Sequence, residues 1–333
     1  MSTGSTTGGT KITLAKGLNM GLRKAMENDP KVLLMGEDVG KLGGVFRITD
    51  GLQKDFGEDR VIDSPLAESG IVGTAVGLAL RGYKPVVEIQ FDGFVYPAYD
   101  QIVCQVAKMH YRSRGRTPLP MVIRIPFGGG IGAVEHHSES PEAQFAHTPG
   151  LKVVACSNPV DGYWMIQQAI ASPDPVIFLE PKRQYHATKA ELDENTAPPP
   201  LFTSRLMRRG NDATLIAYGP TVKTAMLAAE AAAVEGHSLE VFDLRTLSPL
   251  DLDPIYDSVR RTGRAVVVHE AHGNLGMGTE VAARITEECF YSLEAPVLRV
   301  GGFDTPYPPS RLEESWLPDL DRVLDAVDRS MGF

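Results

Sequence analysis

The sequence predicts an α/β protein of two domains, each a mainly parallel sheet with helices on both faces. Three observations carry this. Short runs rich in Val, Ile and Leu read as buried strands. Between them lie longer segments with apolar residues at helical spacing, the alternation expected of parallel sheets. The alternation occurs twice, on either side of a polar stretch that ends in Pro198-Pro199-Pro200, and a proline-rich linker is a natural boundary. A chain of 333 residues is long enough for two ordinary domains. The expected division is a disordered tail over 1–11, a first domain over 12–185, a linker over 186–203 and a second domain over 204–333.

Residues 12–28 (ITLAKGLNMGLRKAMEN) have helical spacing, with Thr13 placed to cap the helix and Asp29-Pro30 to stop it. A buried strand over 32–35 runs into Gly36-Glu37-Asp38-Val39-Gly40. Polar residues directly after a buried strand lie at the carboxyl edge of a sheet, where α/β proteins bind ligands. A helix over 49–55 and a strand over 60–63 follow.

The stretch from Asp63 to Gln101 organises the rest. Asp63, Ser64 and Pro65 lead to one acid, Glu68, and then to Ile71, Val72, Ala75, Val76, Leu78, Ala79 and Leu80, with Gly70, Gly73 and Gly77 among them. A run apolar or small on every side suits a helix buried all round. Its glycines weaken it, which suggests close approach of another backbone or a ligand. Glu68 has a plain reading as an acid that favours the helix dipole. Ser64 completes no capping box with it, since that motif needs the acid three residues on. Residues 85–91 form the next strand, and 97–111 a helix with Pro97 near its start.

A strand over 121–125 runs into Pro126-Phe127-Gly128-Gly129-Gly130-Ile131-Gly132. Neither glycine-rich phosphate fingerprint is present, so this reads as a mobile loop. The string EHHSESPEAQFAHTPG precedes a strand over 152–155, a helix near 160–171 and a strand over 175–180. In the second half, strands are expected over 214–218, 239–244, 265–269 and 296–300, and helices over 220–235, 251–261, 278–289 and 319–330. GNLGMG has its third glycine misplaced for a dinucleotide fingerprint and reads as a loop and helix start.

Net charge is −9, from 33 basic and 42 acidic residues, against the basic face that nucleic-acid binding requires. Three separated cysteines without a CxxC are poor material for a disulfide framework and fit a reducing cytoplasm. MSTGSTTGGT lacks the apolar core of a signal peptide. His136, His137 and His147 cluster with Glu135, Glu139 and Glu142, but HExxH and a cysteine pair are missing. GxSxG is also missing. A histidine near a carboxyl edge suits general acid–base work or holding a substrate anion, and equally a solvated loop.

The strings GEDVG, GGVFRIT, RVIDSPLAESGIVGTAVGLALRGYKPVVEIQF, YPAYDQI, HHSESPEAQFAHTPGLKVV, DPVIFLEPKRQY and FDTPYPP together resemble the beta subunit of two-subunit 2-oxo acid dehydrogenases. These are the thiamine-diphosphate-dependent decarboxylating components of the pyruvate and branched-chain complexes. The resemblance implies a transketolase-like pyrimidine-binding domain followed by a transketolase C-terminal-like domain. It implies that Glu68 hydrogen-bonds N1′ of the cofactor's aminopyrimidine, that Phe94 stacks on that ring, and that Leu66 and Gln90 line the site. Glu37 matches an acid near the route to the aminopyrimidine. His137 matches the histidine beside the reactive carbon, which orients the oxo acid and assists acyl transfer to the lipoyl group. His147 matches a second histidine.

The family's diphosphate-and-magnesium motif, GDG with a later Asn pair, is absent here. The resemblance therefore implies an alpha subunit that holds Mg²⁺ and the diphosphate, in an α₂β₂ assembly. It implies a further partner, the lipoyl acyltransferase core with its subunit-binding and lipoyl domains. Glu313, Glu314, Asp319, Asp321, Asp325 and Asp328 form either a solvated face or a dock for the basic subunit-binding domain. In some relatives potassium binds backbone carbonyls and an Asp or Asn. The matching region is Met121, Val122, Ala169 and Asp174, with Ser172 in place of an acid. HSESPEA and EIQF…YPAYDQI look more like the branched-chain type. The alternatives are a pyruvate dehydrogenase beta subunit and a noncatalytic assembly subunit.

Overall fold

The computed structural model describes residues 10–187 and 189–333. Strand β1 (Thr10–Thr13) leads to helix α1 (Leu14–Asn28), β2 (Val32–Gly36), α2 (Leu52–Phe56), β3 (Val61–Asp63), α3 (Glu68–Leu80) and β4 (Lys84–Glu88). Short helical turns over Asp92–Ala98 and Gln101–Val106 precede α4 (Met109–Arg112), β5 (Val122–Phe127), α5 (Glu142–Ala146), β6 (Lys152–Ala155), α6 (Pro159–Ala171), β7 (Val176–Pro181) and β8 (Lys189–Leu192). Strands β3-β2-β4-β5-β7-β6 lie side by side in that order, all parallel. On one face α1 packs on α6 through Gly17 and Gly21, where an added Cβ would sit 2.4 Å from the Pro159 carbonyl oxygen and 2.6 Å from that of Tyr163.

The second half contributes β9 (Arg205–Arg208), β10 (Ala213–Ala217), α7 (Thr221–Val234), β11 (Leu239–Asp243), β12 (Thr246–Ser248), α8 (Asp253–Thr262), β13 (Ala265–His272), α9 (Met277–Cys289), β14 (Leu298–Gly302), α10 (Glu313–Trp316) and α11 (Leu320–Met331). Its sheet has the order β14-β13-β10-β11-β9, parallel except for β9. Strand β12 leaves this sheet and pairs antiparallel with β6, closing one edge of the larger one.

Several expectations change. Thr10 and Lys11, placed in a disordered tail, pair with Leu192 and Glu191; residues 1–9 lie outside the described residues. The 186–203 stretch therefore contains a strand, β8, rather than linker alone. Thr13 does cap α1, its hydroxyl accepting from Lys16 N at 3.2 Å. The helix expected over 97–111 is broken into pieces. Pro97 sits inside the first turn and has no N–H to donate. Ala107 N then bonds the Ile102 carbonyl, five residues back, at 2.9 Å.

Helix α3 is not buried all round. Ile71, Val72, Ala75, Val76 and Ala79 are buried, whereas Ser69, Gly70, Thr74, Gly77 and Leu80 are exposed. A composition apolar on every side did not reveal which side lacks a neighbour within the chain. The glycine loop is tied down rather than mobile. Gly129 N donates to Glu270, and Gly130 N and Gly132 N donate to Glu313 at 2.8 and 3.0 Å. These carboxylates come from 141 to 183 residues away. Glu313, expected on an acidic docking face, is buried for this reason.

Candidate functional site

Strands β3, β2, β4 and β5 are parallel neighbours, so the segments that follow them meet at one carboxyl edge. Each brings one or more of the candidate residues. Glu37 follows β2 directly, Leu66 and Glu68 follow β3, Gln90 and Phe94 follow β4, and His137 follows β5. Glu68 is the first residue of α3 and only 5% exposed, so its carboxylate sits at the positive end of the helix dipole. Glu37 is close enough to feel it. Burial, with the charges of Asp38 and Glu68, raises the Glu37 carboxyl above its ordinary range. Glu37 Oε2 is buried without a hydrogen-bond partner. Gln90 and Phe94 are half-buried and Leu66 is exposed.

His137 lies among aromatic rings. Phe91 stacks on its face at 4.0 Å with an interplanar angle of 13°, and Phe94 meets it edge-on at 5.2 Å. His137 Nδ1 is buried and has no partner. The neighbouring Asp92 is fully buried and ion-paired to Lys182. Asp92 Oδ2 also accepts from Glu139 N at 2.6 Å. Burial pushes the Asp92 carboxyl up to about 6 against the pull of Lys182. The buried Asp92 carboxylate, held by Lys182 and accepting from Glu139 N, thus fixes the Phe91–Phe94 segment against the segment that carries His137. Five residues beyond His137 in the chain, Glu142 Oε1 accepts from Tyr218 Oη at 2.7 Å, across the two halves of the chain.

Of the other candidates, His136 borders the site and the rest lie elsewhere. His136 is exposed, with its imidazole 4.3 Å from that of His137. His147 caps the far end of α5 and lines a separate cavity of about 870 Å³ with Leu247, Pro249 and Met277. The Met121–Asp174 region is engaged internally. Met121 O accepts from Val176 N, and Ala169 O from Ser172 N. Asp174 bonds His110 Nδ1 at 2.8 Å and lies 3.9 Å from Lys152 Nζ, and Val122 is buried in β5. Sequence reasoning missed Phe91, Asp92, Lys182 and Tyr218. Lys182 does stand in a quoted string and Asp92 directly follows another, but nothing local pairs residues 90 positions apart.

This arrangement can be compared with known proteins. The transketolase pyrimidine-binding domain family matches residues 10–188, and the transketolase C-terminal domain family matches residues 203–323. Among solved structures, a split-gene transketolase described as an inactive beta4 tetramer has the same fold. Its TM-score is 0.77 at 21% identity, over 96% of this chain and 98% of that one. Fold and site thus define a two-domain protein of the transketolase type, built from mainly parallel sheets.

Curated relatives narrow this. The chain is 61% identical to the pyruvate dehydrogenase E1 component subunit beta of Leifsonia xyli, over 97% of this chain and 95% of that one. It is 55% identical to the 3-methyl-2-oxobutanoate dehydrogenase subunit beta of Mycobacterium tuberculosis, over 96% and 91%. A pyruvate dehydrogenase E1 component subunit beta from Staphylococcus epidermidis is 45% identical over 97% and 99%. The chain belongs to the family of E1 beta subunits of 2-oxo acid dehydrogenases, thiamine-diphosphate-dependent oxidoreductase components. The site fits such a cofactor. A buried acid at a helix start, an unpartnered carboxylate oxygen on Glu37 and an unpartnered ring nitrogen on His137 face the same sheet edge as the ring of Phe94. No helix among the described residues is long and apolar enough to cross a membrane.

Proposed function

We propose that this chain supplies the pyrimidine-side half of a thiamine-diphosphate site shared with an alpha subunit in an α₂β₂ assembly. The reaction is oxidative decarboxylation of a branched-chain 2-oxo acid, such as 3-methyl-2-oxobutanoate, and reductive acylation of a lipoyl domain. The observation that carries this reading is Glu68, nearly buried at a helix start, on a sheet edge whose rim is apolar and uncovered. Leu42 and Val45 after β2, Leu66 after β3, Tyr96 after β4, and Ile131 and Val134 after β5 are each about 40–60% exposed. Such a rim is suited to closure by a second chain. The missing GDG motif argues that the second chain brings Mg²⁺ and the diphosphate contacts.

When bound, thiamine diphosphate supplies the nucleophilic carbon and the electron sink for loss of CO₂. Glu68 holds a proton at N1′ of the aminopyrimidine, shielded from bulk water so that the proton stays shared. Phe94 packs on that ring, Leu66 and Gln90 line its pocket, and Glu37 extends the acidic path. His137 orients the oxo acid and serves acyl transfer. Glu314, Asp321, Asp325 and Asp328 remain exposed and form the acidic face for the acyltransferase's subunit-binding domain, with Asp319 engaged as the cap of α11. A potassium ion at the Met121–Asp174 corner forms no part of this reading.

Glu68→Gln in the assembled enzyme tests the catalytic role. The expected result is a rate loss of about 100-fold or more, with alpha association intact. A noncatalytic assembly role predicts almost no loss. Calorimetry with thiamine diphosphate and Mg²⁺ should show binding by the mixture of subunits; tight binding by this chain alone would overturn the split site. The Leifsonia relative favours a second reading, pyruvate as substrate. Turnover of pyruvate comparable to, or above, that of 3-methyl-2-oxobutanoate would decide for it.

A further inference from the structure

We propose that Phe91 is a positioning residue that sets the imidazole of His137 for acyl transfer, an inference that rests on the role given to His137 above. Catalytic histidines are commonly oriented by donating one ring N–H to a carboxylate or carbonyl oxygen. His137 has no such bond at Nδ1, although that atom is buried. Aromatic packing holds the ring instead. Phe91 covers one face at 4.0 Å and 13°, and Phe94 abuts an edge at 5.2 Å and 88°.

Phe91 is itself braced. Phe46 meets it edge-on at 5.4 Å, and the next residue, Asp92, is anchored by Lys182 and by Glu139 N. The same anchor binds the chain on both sides of the stack, since Glu139 lies two residues beyond His137. The stack therefore fixes the ring plane without a hydrogen bond at Nδ1. The charged and titratable neighbours, His136, Glu139, Asp92 and Lys182, make no hydrogen bond to the ring.

The test uses the assembled enzyme with its alpha partner and a lipoyl domain. Decarboxylation is read with an artificial electron acceptor and lipoyl acylation separately. Phe91→Leu keeps apolar volume and removes the aromatic face. It should lower lipoyl acylation by about three- to tenfold, the range of an aromatic pair's contribution, and lower decarboxylation by less, through the oxo acid that His137 also orients. Phe91→Tyr should restore acylation. A His137→Ala control separates the two readings. If His137→Ala leaves acylation intact, the role of His137 falls. If His137→Ala abolishes acylation and Phe91→Leu leaves it unchanged, the positioning role alone falls. Equal loss of both half-reactions in Phe91→Leu, unrestored by Tyr, would also overturn it in favour of a structural role.

Discussion

Glu142→Gln tests how burial sets a proton in the interior of the chain. Glu142 is fully buried on α5, accepts from Tyr218 Oη at 2.7 Å, and leaves Oε2 without a partner. Burial pushes its carboxyl from 4.5 up to about 7, outweighing the Tyr218 bond that favours the anion. The folded chain thus keeps a proton that the unfolded chain releases above about pH 4.5. Its contribution to stability is full below the unfolded value and is lost as pH rises through about 7. With about 1.4 kcal/mol per unit, the loss between about pH 5 and about pH 8 is roughly 2–3 kcal/mol. Gln has the same shape, can turn its amide oxygen to Tyr218 and does not titrate.

Denaturant unfolding of both proteins at the two pH values measures the difference. Wild type should lose roughly 2–3 kcal/mol more than the variant as pH rises. Asp92 and Asp243, pushed up by burial to about 6 and about 7, act in the same direction. His269, pushed down by burial to about 4, acts in the opposite one. Both proteins share these groups, so they cancel in the comparison. Parallel pH dependence in the two proteins would show that Glu142 is ionised in the native state and would refute the argument.

Lys182→Met should leave Asp92 buried without its partner and cost about 3–5 kcal/mol, measured by denaturant unfolding near neutral pH; the loss should shrink as pH falls and Asp92 takes up a proton, from above the wild-type value because Lys182 no longer holds the carboxyl down. Glu313→Ala removes the acceptor for Gly130 N, Gly132 N and the Tyr307 hydroxyl and should cost about 3 kcal/mol, with faster amide exchange confined largely to 128–132. Charge reversal at Asp321 and Asp328, both exposed, should weaken binding of a basic subunit-binding domain and flatten its salt dependence; unchanged binding would remove that face from the interface.

Much of the site was legible in the chain because the fold class dictates where ligands go. Polar residues directly after buried strands fall at the carboxyl edge of a parallel sheet. That rule marked the Glu37 segment, whereas Gln90, Phe94 and the cofactor roles of Glu68 and His137 came from the family resemblance. The starts of α3 and α9 and the capping by Thr13 were also local matters, written in a few neighbouring residues. Tertiary structure decided what depends on partners far along the chain. The glycine loop reads as mobile until Glu270 and Glu313 arrive to accept its N–H groups. Glu313 reads as a surface acid until those same N–H groups bury it. The exposed side of α3 could not be read from residues that are apolar on every side. Propensity and pattern report each segment's own preferences, whereas buried charge is tolerated only where distant groups supply its partners. That pairing exists only once the two halves of the chain have come together.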